Sequence, residues 1–246
     1  MLKIKLLPAL LLGLCGTAAA DEIRVATASN FREAMTTLAQ KFEQRSGHQV
    51  QAIFGSTGKQ YAQIIHGAPF DAFFAADSLR PIQLEKDGLA VSGSRFTYAG
   101  GQLVLWQPGP GPDPVDQTTL RQDGFRYLAM ANPDLAPYGQ AAAEVIDSLN
   151  LWPQLENRVV RGENIGQTFQ FVVSGNAELG LVAWSQLKSY GGVKDKTYWL
   201  VSSDLYRPIE QQAVLLTESP AAHDFMLYMQ SDEAITVIQE FGYLTP

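Results

Sequence analysis

Cysteine is almost absent from this chain. The single one, Cys15, lies in an N-terminal stretch that reads as a leader, which leaves the mature chain no disulfide, no thiol nucleophile and no thiolate metal ligand. Histidine is scarce as well. His48, His66 and His223 are scattered, with no His-Glu-x-x-His pair and no metal-ligand spacing, and each reads as a surface or helix-end residue. Basic residues are outnumbered: without Lys3 and Lys5, 16 lysines and arginines face 25 acidic residues, a net charge of −9. Such a surface argues against nucleic acid or anionic lipid as a partner. Beyond the leader no segment approaches the roughly 18 consecutive apolar residues that span a bilayer.

Enzyme signatures are missing too. Gly58-Lys59 matches the end of a phosphate-binding P-loop, but that motif needs Gly at 53 and Ser or Thr at 60, where Ile53 and Gln60 stand. No Gly-x-Ser-x-Gly nucleophile elbow occurs. Asp71 and Asp77 flank a strand, and Asp77 reads as the cap of a helix opening at Ser78 rather than as half of a catalytic pair. Trp106, Trp152, Trp184 and Trp199 are scattered and read as core.

Residues 1–20 combine basic Lys3 and Lys5, an apolar run over 6–14 and Ala18-Ala19-Ala20. That is the order of a secretory signal peptide, with cleavage expected after Ala20. Lipidation at Cys15 competes with this reading, although Leu14 is a poor fit to the small residue expected before it. After the leader, short β-branched or apolar runs alternate with helical ones. Strands are expected over 23–28, 50–54, 72–75, 102–106, 127–131, 158–161, 179–184 and 209–216. Helices are expected over 31–45, 59–66, 79–86, 140–149, 165–174, 221–230 and 232–240, and the proline-rich run 108–116 reads as a surface loop. This alternation predicts an α/β protein with parallel sheets covered on both faces. The rhythm restarts after Gly100, so two lobes are expected, residues 21–100 with 206–246 and residues 101–205, with a cleft between them.

In open α/β sheets, ligands sit beyond the carboxyl ends of the strands, where helices begin. Four junctions qualify. Phe54-Gly-Ser-Thr-Gly58 encloses two hydroxyls between two glycines and leads straight into a helix. Such an arrangement aims N–H groups, O–H groups and the positive end of a helix dipole at one point, and so holds an anion without a charged side chain. Ala28-Ser29-Asn30-Phe31 could do the same, although Asn30 with Glu33 three residues on also suits plain helix capping. Ala136-Pro137-Tyr138-Gly139 opens a helix with no Ser, Thr, Asp or Asn at its start, and could equally be an ordinary turn. In Gly162-Glu163-Asn164-Ile165, Asn164 suits a cap and the Ile165 N–H could face the cleft. At each junction a plain cap or turn stands beside anion binding as a reading.

These segments, in this order and spacing, resemble the periplasmic molybdate-binding proteins of ABC transporters over essentially the whole mature chain. The resemblance is carried by Val25-Ala-Thr-Ala-Ser-Asn-Phe31, Phe54-Gly-Ser-Thr-Gly58, Gln63-Ile-Ile-His-Gly-Ala-Pro69 and Phe73-Phe-Ala-Ala-Asp77. It continues through Leu103-Val-Leu-Trp106, Ala136-Pro-Tyr-Gly139, Gly162-Glu-Asn-Ile165, Leu179-Gly-Leu-Val-Ala183 and Phe241-Gly-Tyr243. It implies a two-lobed periplasmic substrate-binding fold of type II, with a mostly parallel sheet in each lobe. It also implies a monomeric receptor that closes on molybdate or tungstate and delivers it to a membrane permease, with no separate cofactor and no bare metal ion. The ligand contacts it implies fall on Ser29, Asn30, Ser56, Thr57, Tyr138 and Ile165. Some members place a ligand tyrosine where this chain has Ala183, so the chain resembles the branch that uses Asn30 and Tyr138 instead.

Other ligands and one other function class compete. Sulfate, phosphate and thiosulfate share the tetrahedral shape. Amino-acid receptors usually need an arginine for the carboxylate, and none stands at the four junctions. Ferric-ion receptors use paired tyrosines, and no Tyr-Tyr occurs. An exported ester hydrolase would need a base beside Ser29, Ser56 or Thr57, and no histidine is near them in sequence.

Overall fold

A computed structural model describes residues 21–109, 114–191 and 197–245. Residues 1–20, expected to be a leader, and residues 110–113 of the proline-rich run lie outside that range. In chain order the strands and helices are β1 (Glu22–Ala28), α1 (Arg32–Ser46), β2 (Gln49–Gly55), α2 (Thr57–Ile65), β3 (Ala72–Ala75), α3 (Leu79–Lys86), β4 (Phe96–Gly101), β5 (Leu103–Trp106) and β6 (Leu128–Ala131). They continue with α4 (Pro137–Ser148), α5 (Trp152–Leu155), β7 (Val159–Gly162), α6 (Ile165–Val173), β8 (Leu179–Ala183), α7 (Trp184–Tyr190), β9 (Tyr198–Leu200), β10 (Ile209–Leu215), α8 (Pro220–Tyr228) and α9 (Asp232–Glu240).

The expected elements are present, and four more appear. β4 ends in two glycines, and β9 is three residues long, so neither carries a periodic signal. α5 is a single turn. α7 follows β8 without a break, so Trp184, expected to end the strand, instead starts a helix. Two helices also begin two or more residues earlier than the periodicity predicts. α2 starts at Thr57 and α4 at Pro137, which places Thr57 and Tyr138 in first turns rather than before them.

The strands form two five-stranded sheets, ordered β2-β1-β3-β10-β4 and β7-β6-β8-β5-β9. In each, four strands run one way and a single strand opposes them: β10 in the first sheet and β5 in the second. Chain direction explains the exception. β4 and β9 end at the cleft and cross to the other lobe, so the strand that receives the chain begins at the cleft and runs away from it. The two sheets are the cores of two lobes, with helices on both faces.

Pleating separates the faces, because successive strand side chains point opposite ways. Phe73 packs with Ile64, Leu84 and Val214 on one face of the first sheet. Its neighbour Phe74 packs on the other face with Phe31, Met35, Leu38 and Phe225. In β5, Leu103 and Leu105 join one cluster, while Val104 and Trp106 join another with Phe169 and Val172. α1 presents Ala34, Met35, Leu38 and Phe42 to its sheet at the expected 3.6-residue spacing.

α4 meets the end of β6 so closely that a Cβ on Gly139 would lie 2.4 Å from the Ala131 carbonyl oxygen. Backbone cannot yield there, so Gly139→Ala should lower stability by about 1–3 kcal/mol. Urea unfolding would measure this; an unchanged midpoint would contradict the packing of α4 on β6.

Candidate functional site

Ser29, Asn30, Ser56, Thr57, Tyr138 and Ile165 line one small cavity between the lobes, with Ala28, Gly55, Ala76, Ala136, Pro137 and Asn164 completing its wall. None of these residues carries a charge. Three helix starts converge here: α2 from the first lobe, and α4 and α6 from the second. A short 3-10 turn over Ser29–Phe31 adds a fourth approach, leading into α1. The amides that open each helix have no intrahelical partner.

The hydroxyls are arranged as donors. Ser29 Oγ accepts the Gly166 N–H from the opposite lobe at 3.2 Å. Thr57 Oγ1 accepts the Ala76 N–H at 3.1 Å. Each oxygen thereby has an acceptor lone pair occupied and keeps its own hydrogen to give. Ser56 Oγ is buried without a partner, and so is Asn30 Oδ1. A buried polar atom left unpaired costs about 1–3 kcal/mol, and both of these belong to residues of the cavity wall.

Plain capping therefore fails at two junctions and holds at one. Ser56 occupies the N-cap position of α2 but makes no capping bond. Asn30 caps nothing; its Nδ2 donates to Gln211 Oε1 at 2.8 Å and lies 3.1 Å from the Tyr243 hydroxyl. Asn164 does cap, accepting the Gln167 N–H at 3.0 Å. The Tyr138 phenol lies 3.4 Å from Gln211 Nε2, and its backbone N–H stands in the first turn of α4.

The lobes touch around the cavity. The Gly58 N–H donates to the Leu135 carbonyl at 2.8 Å, and Arg80 Nη2 reaches the Asp134 carbonyl at 3.4 Å. Lys59 and Glu163 form an ion pair of 2.5 Å across the mouth. Ser29, Asn30 and Asn164 also border an open cleft of about 750 Å³, where the charged Arg32, Glu33 and Glu163 stand.

Sequence reasoning missed the second layer. Gln211 and Tyr243 bond Asn30, Tyr98 in turn donates to Gln211, and Ser185 Oγ lies 3.4 Å from the Asn30 carbonyl. The polar pair Gln211-Gln212 inside an otherwise apolar strand was the visible signal. Asp71 and Asp77 have structural partners: Asp71 accepts the Arg24 N–H, and Asp77 accepts the Arg80 N–H and pairs with its guanidinium. Among the described residues no cluster of three metal-ligating side chains occurs, and no helix is long and apolar enough to cross a membrane.

A family model for bacterial extracellular solute-binding proteins matches residues 23–244. The chain is 45% identical to the molybdate-binding protein ModA of Azotobacter vinelandii, over 97% of this chain and 96% of that protein. It is 41% identical to the ModA of Rhodobacter capsulatus, over 96% of this chain and 94% of that protein. The solved structure of the Azotobacter vinelandii periplasmic molybdate-binding protein superposes with a TM-score of 0.86 at 38% identity, covering 91% of this chain and 99% of that one. This chain belongs to the ModA family of solute-binding proteins.

In this ModA-family chain the three phenols nearest the cavity are held protonated. Burial pushes Tyr98, Tyr138 and Tyr243 up, with neighbouring tyrosines adding to the shift at Tyr98 and Tyr138. Nothing on the cavity wall titrates near neutrality, so affinity for a fully ionised anion should be flat between about pH 6 and 9. Calorimetric titration across that range checks this, and a stepwise change would reveal a titrating side chain in the site. Because the folded state holds the phenolic protons more tightly, the contribution of these three groups to stability should be lost as pH rises beyond about 10, the unfolded value, which urea unfolding at alkaline pH would measure.

Proposed function

We propose that the chain is a periplasmic receptor that captures molybdate, and tungstate with it, and hands it to the membrane permease of an ABC transporter. The observation that carries this reading is the neutral cavity lined by Ser29, Ser56, Thr57, Tyr138 and Ile165, where three helices begin. Hydrogen bonds to an ionised acceptor are roughly twice as strong as neutral ones. Several of them, with helix dipoles behind, replace the water that a dianion gives up. The names of the relatives favour molybdate among the tetrahedral oxyanions. Sulfate has the same charge and shape, so the discrimination falls to the size of the cavity.

Such a site binds and releases. A hydrolase would need a base to take the hydrogen of a hydroxyl, and among the described residues no histidine, aspartate or glutamate lines the cavity with Ser29, Ser56 and Thr57. The chain has no need of a cofactor, since molybdenum arrives already as the oxyanion. The lobes, residues 21–100 with 206–246 and residues 101–205, part at the hinge to admit the ligand. A monomer exposes the tips of both lobes to the permease, after export by the leader.

Thermal unfolding with molybdate, tungstate, sulfate or phosphate tests the reading. A ligand at a hundred times its dissociation constant adds about 2.7 kcal/mol of stability, a clear rise in Tm. A rise with molybdate and tungstate alone is expected; a rise with sulfate or phosphate alone would keep the cleft and change the ligand. Thr57→Ala, which removes one charge-assisted bond of about 1.5–3 kcal/mol, should weaken molybdate binding at least tenfold without unfolding the protein. Unchanged affinity would remove Thr57 from the site.

A further inference from the structure

Asn30 stands in the cavity wall with its amide turned the wrong way for an anion. Both Nδ2 hydrogens face the second layer, towards Gln211 Oε1 at 2.8 Å and the Tyr243 oxygen at 3.1 Å, while Oδ1 is buried without a partner. An acceptor oxygen repels an oxyanion. The same orientation leaves the second layer incomplete. Tyr98 has one hydrogen and two acceptors at 3.1 Å, the Ala75 carbonyl and Gln211 Oε1. Gln211 Nε2 has two hydrogens and a single neighbour in reach, the Tyr138 hydroxyl at 3.4 Å.

Turning both amides by a half-rotation resolves this. The two ends of an amide are nearly alike in shape, so the turn needs little space. Gln211 Nε2 would then donate one hydrogen to Asn30 Oδ1 and the other to the Tyr98 oxygen, while Tyr98 donates to Ala75. Gln211 Oε1 would accept from the Tyr138 hydroxyl. The Tyr243 hydroxyl, which donates to the Asn30 carbonyl at 2.7 Å, would turn its hydrogen to Asn30 Oδ1 and leave that carbonyl to Ser185 Oγ at 3.4 Å. The Asn30 NH2 would then be free to face the anion. Neither amide can turn alone without setting oxygen against oxygen or NH2 against NH2.

We infer that Gln211 is a positioning residue: its amide decides which end of the Asn30 amide faces the oxyanion, and in either orientation it also bonds the Tyr138 hydroxyl of the opposite lobe. Gln211 is fully buried on β10, in the sheet of the first lobe. It therefore joins one wall residue from each lobe. The neighbouring strand makes room: a Cβ on Gly101 would lie 2.3 Å from the Tyr138 hydroxyl and 2.9 Å from Gln211 Nε2.

This inference rests on the oxyanion reading, and a double-mutant cycle separates the two. Molybdate affinity would be measured for the wild type, Asn30→Ala, Gln211→Met and the double variant; methionine keeps the length and removes both amide groups. Gln211→Met should lose about tenfold in affinity, the worth of one hydrogen bond to a charged group. The double variant should lose no more than Asn30→Ala alone, because Gln211 acts only through Asn30. Additive losses, or unchanged affinity in Gln211→Met, would overturn the inference and leave the receptor reading intact. A wild type that binds no molybdate would remove both. Should Gln211→Met fail to fold, the side-chain amide NMR signals of the wild type decide: molybdate should shift those of Asn30 and Gln211 together. A Gln211 signal that stays in place while Asn30 moves would sink the inference.

Discussion

A dianion leaves water only if its lost hydrogen bonds are replaced by donors already in position. Most of this molecule follows from that constraint. Charged side chains would supply the attraction, but each would itself have to be stripped of water. Helix starts avoid the second desolvation, because their amides have no intrahelical partner and are held in place by the helix behind them. An α/β sheet with helices on both faces sets such starts along one edge, and two sheets edge to edge surround a point with them. The fold thus acts as a holder for unpaired N–H groups. The Ser29 and Thr57 hydroxyls extend the same logic, since an N–H from elsewhere occupies each oxygen and leaves its hydrogen directed outward.

Much of this was legible in the sequence, because repetition survives noise. The alternation of short apolar runs with helical ones announces the layers, and four strand-to-helix junctions of one type mark the edge that matters. The six residues expected to meet the ligand do line one cavity. What periodicity could not resolve was the boundary between capping and binding. Asn30 and Asn164 look alike in sequence, each at a helix start, yet Asn164 caps α6 while Asn30 is drawn into a network reaching residues 181 and 213 positions away. Only tertiary contact separates them.

The elements that escaped notice share a cause. β4 and β9 are crossing strands whose residues are chosen for what lies beside them rather than for a face to bury, so they carry little pattern. α7 continues an apolar strand, and an apolar run by itself does not say where the backbone turns. Gln211 escaped for the opposite reason. It lies in a strand read correctly, but a fully buried glutamine is informative only once its partners are known.

The crossings themselves set what kind of motion the molecule has. β4 runs into β5 through Gln102 alone, and the return passage leaves β9 and enters β10. Gly101 pairs with Ile209 on one side of the gap, and Val104 with Leu200 on the other, so the passages through Gln102 and through residues 201–208 leave and enter side by side. Two connections held together at one place let two bodies swing about that place more easily than slide apart. Two bodies joined this way have nearly one coordinate between them. Whether the cavity is filled is then expressed as a single angle, legible at the far tips of the lobes by a surface that never touches the ligand.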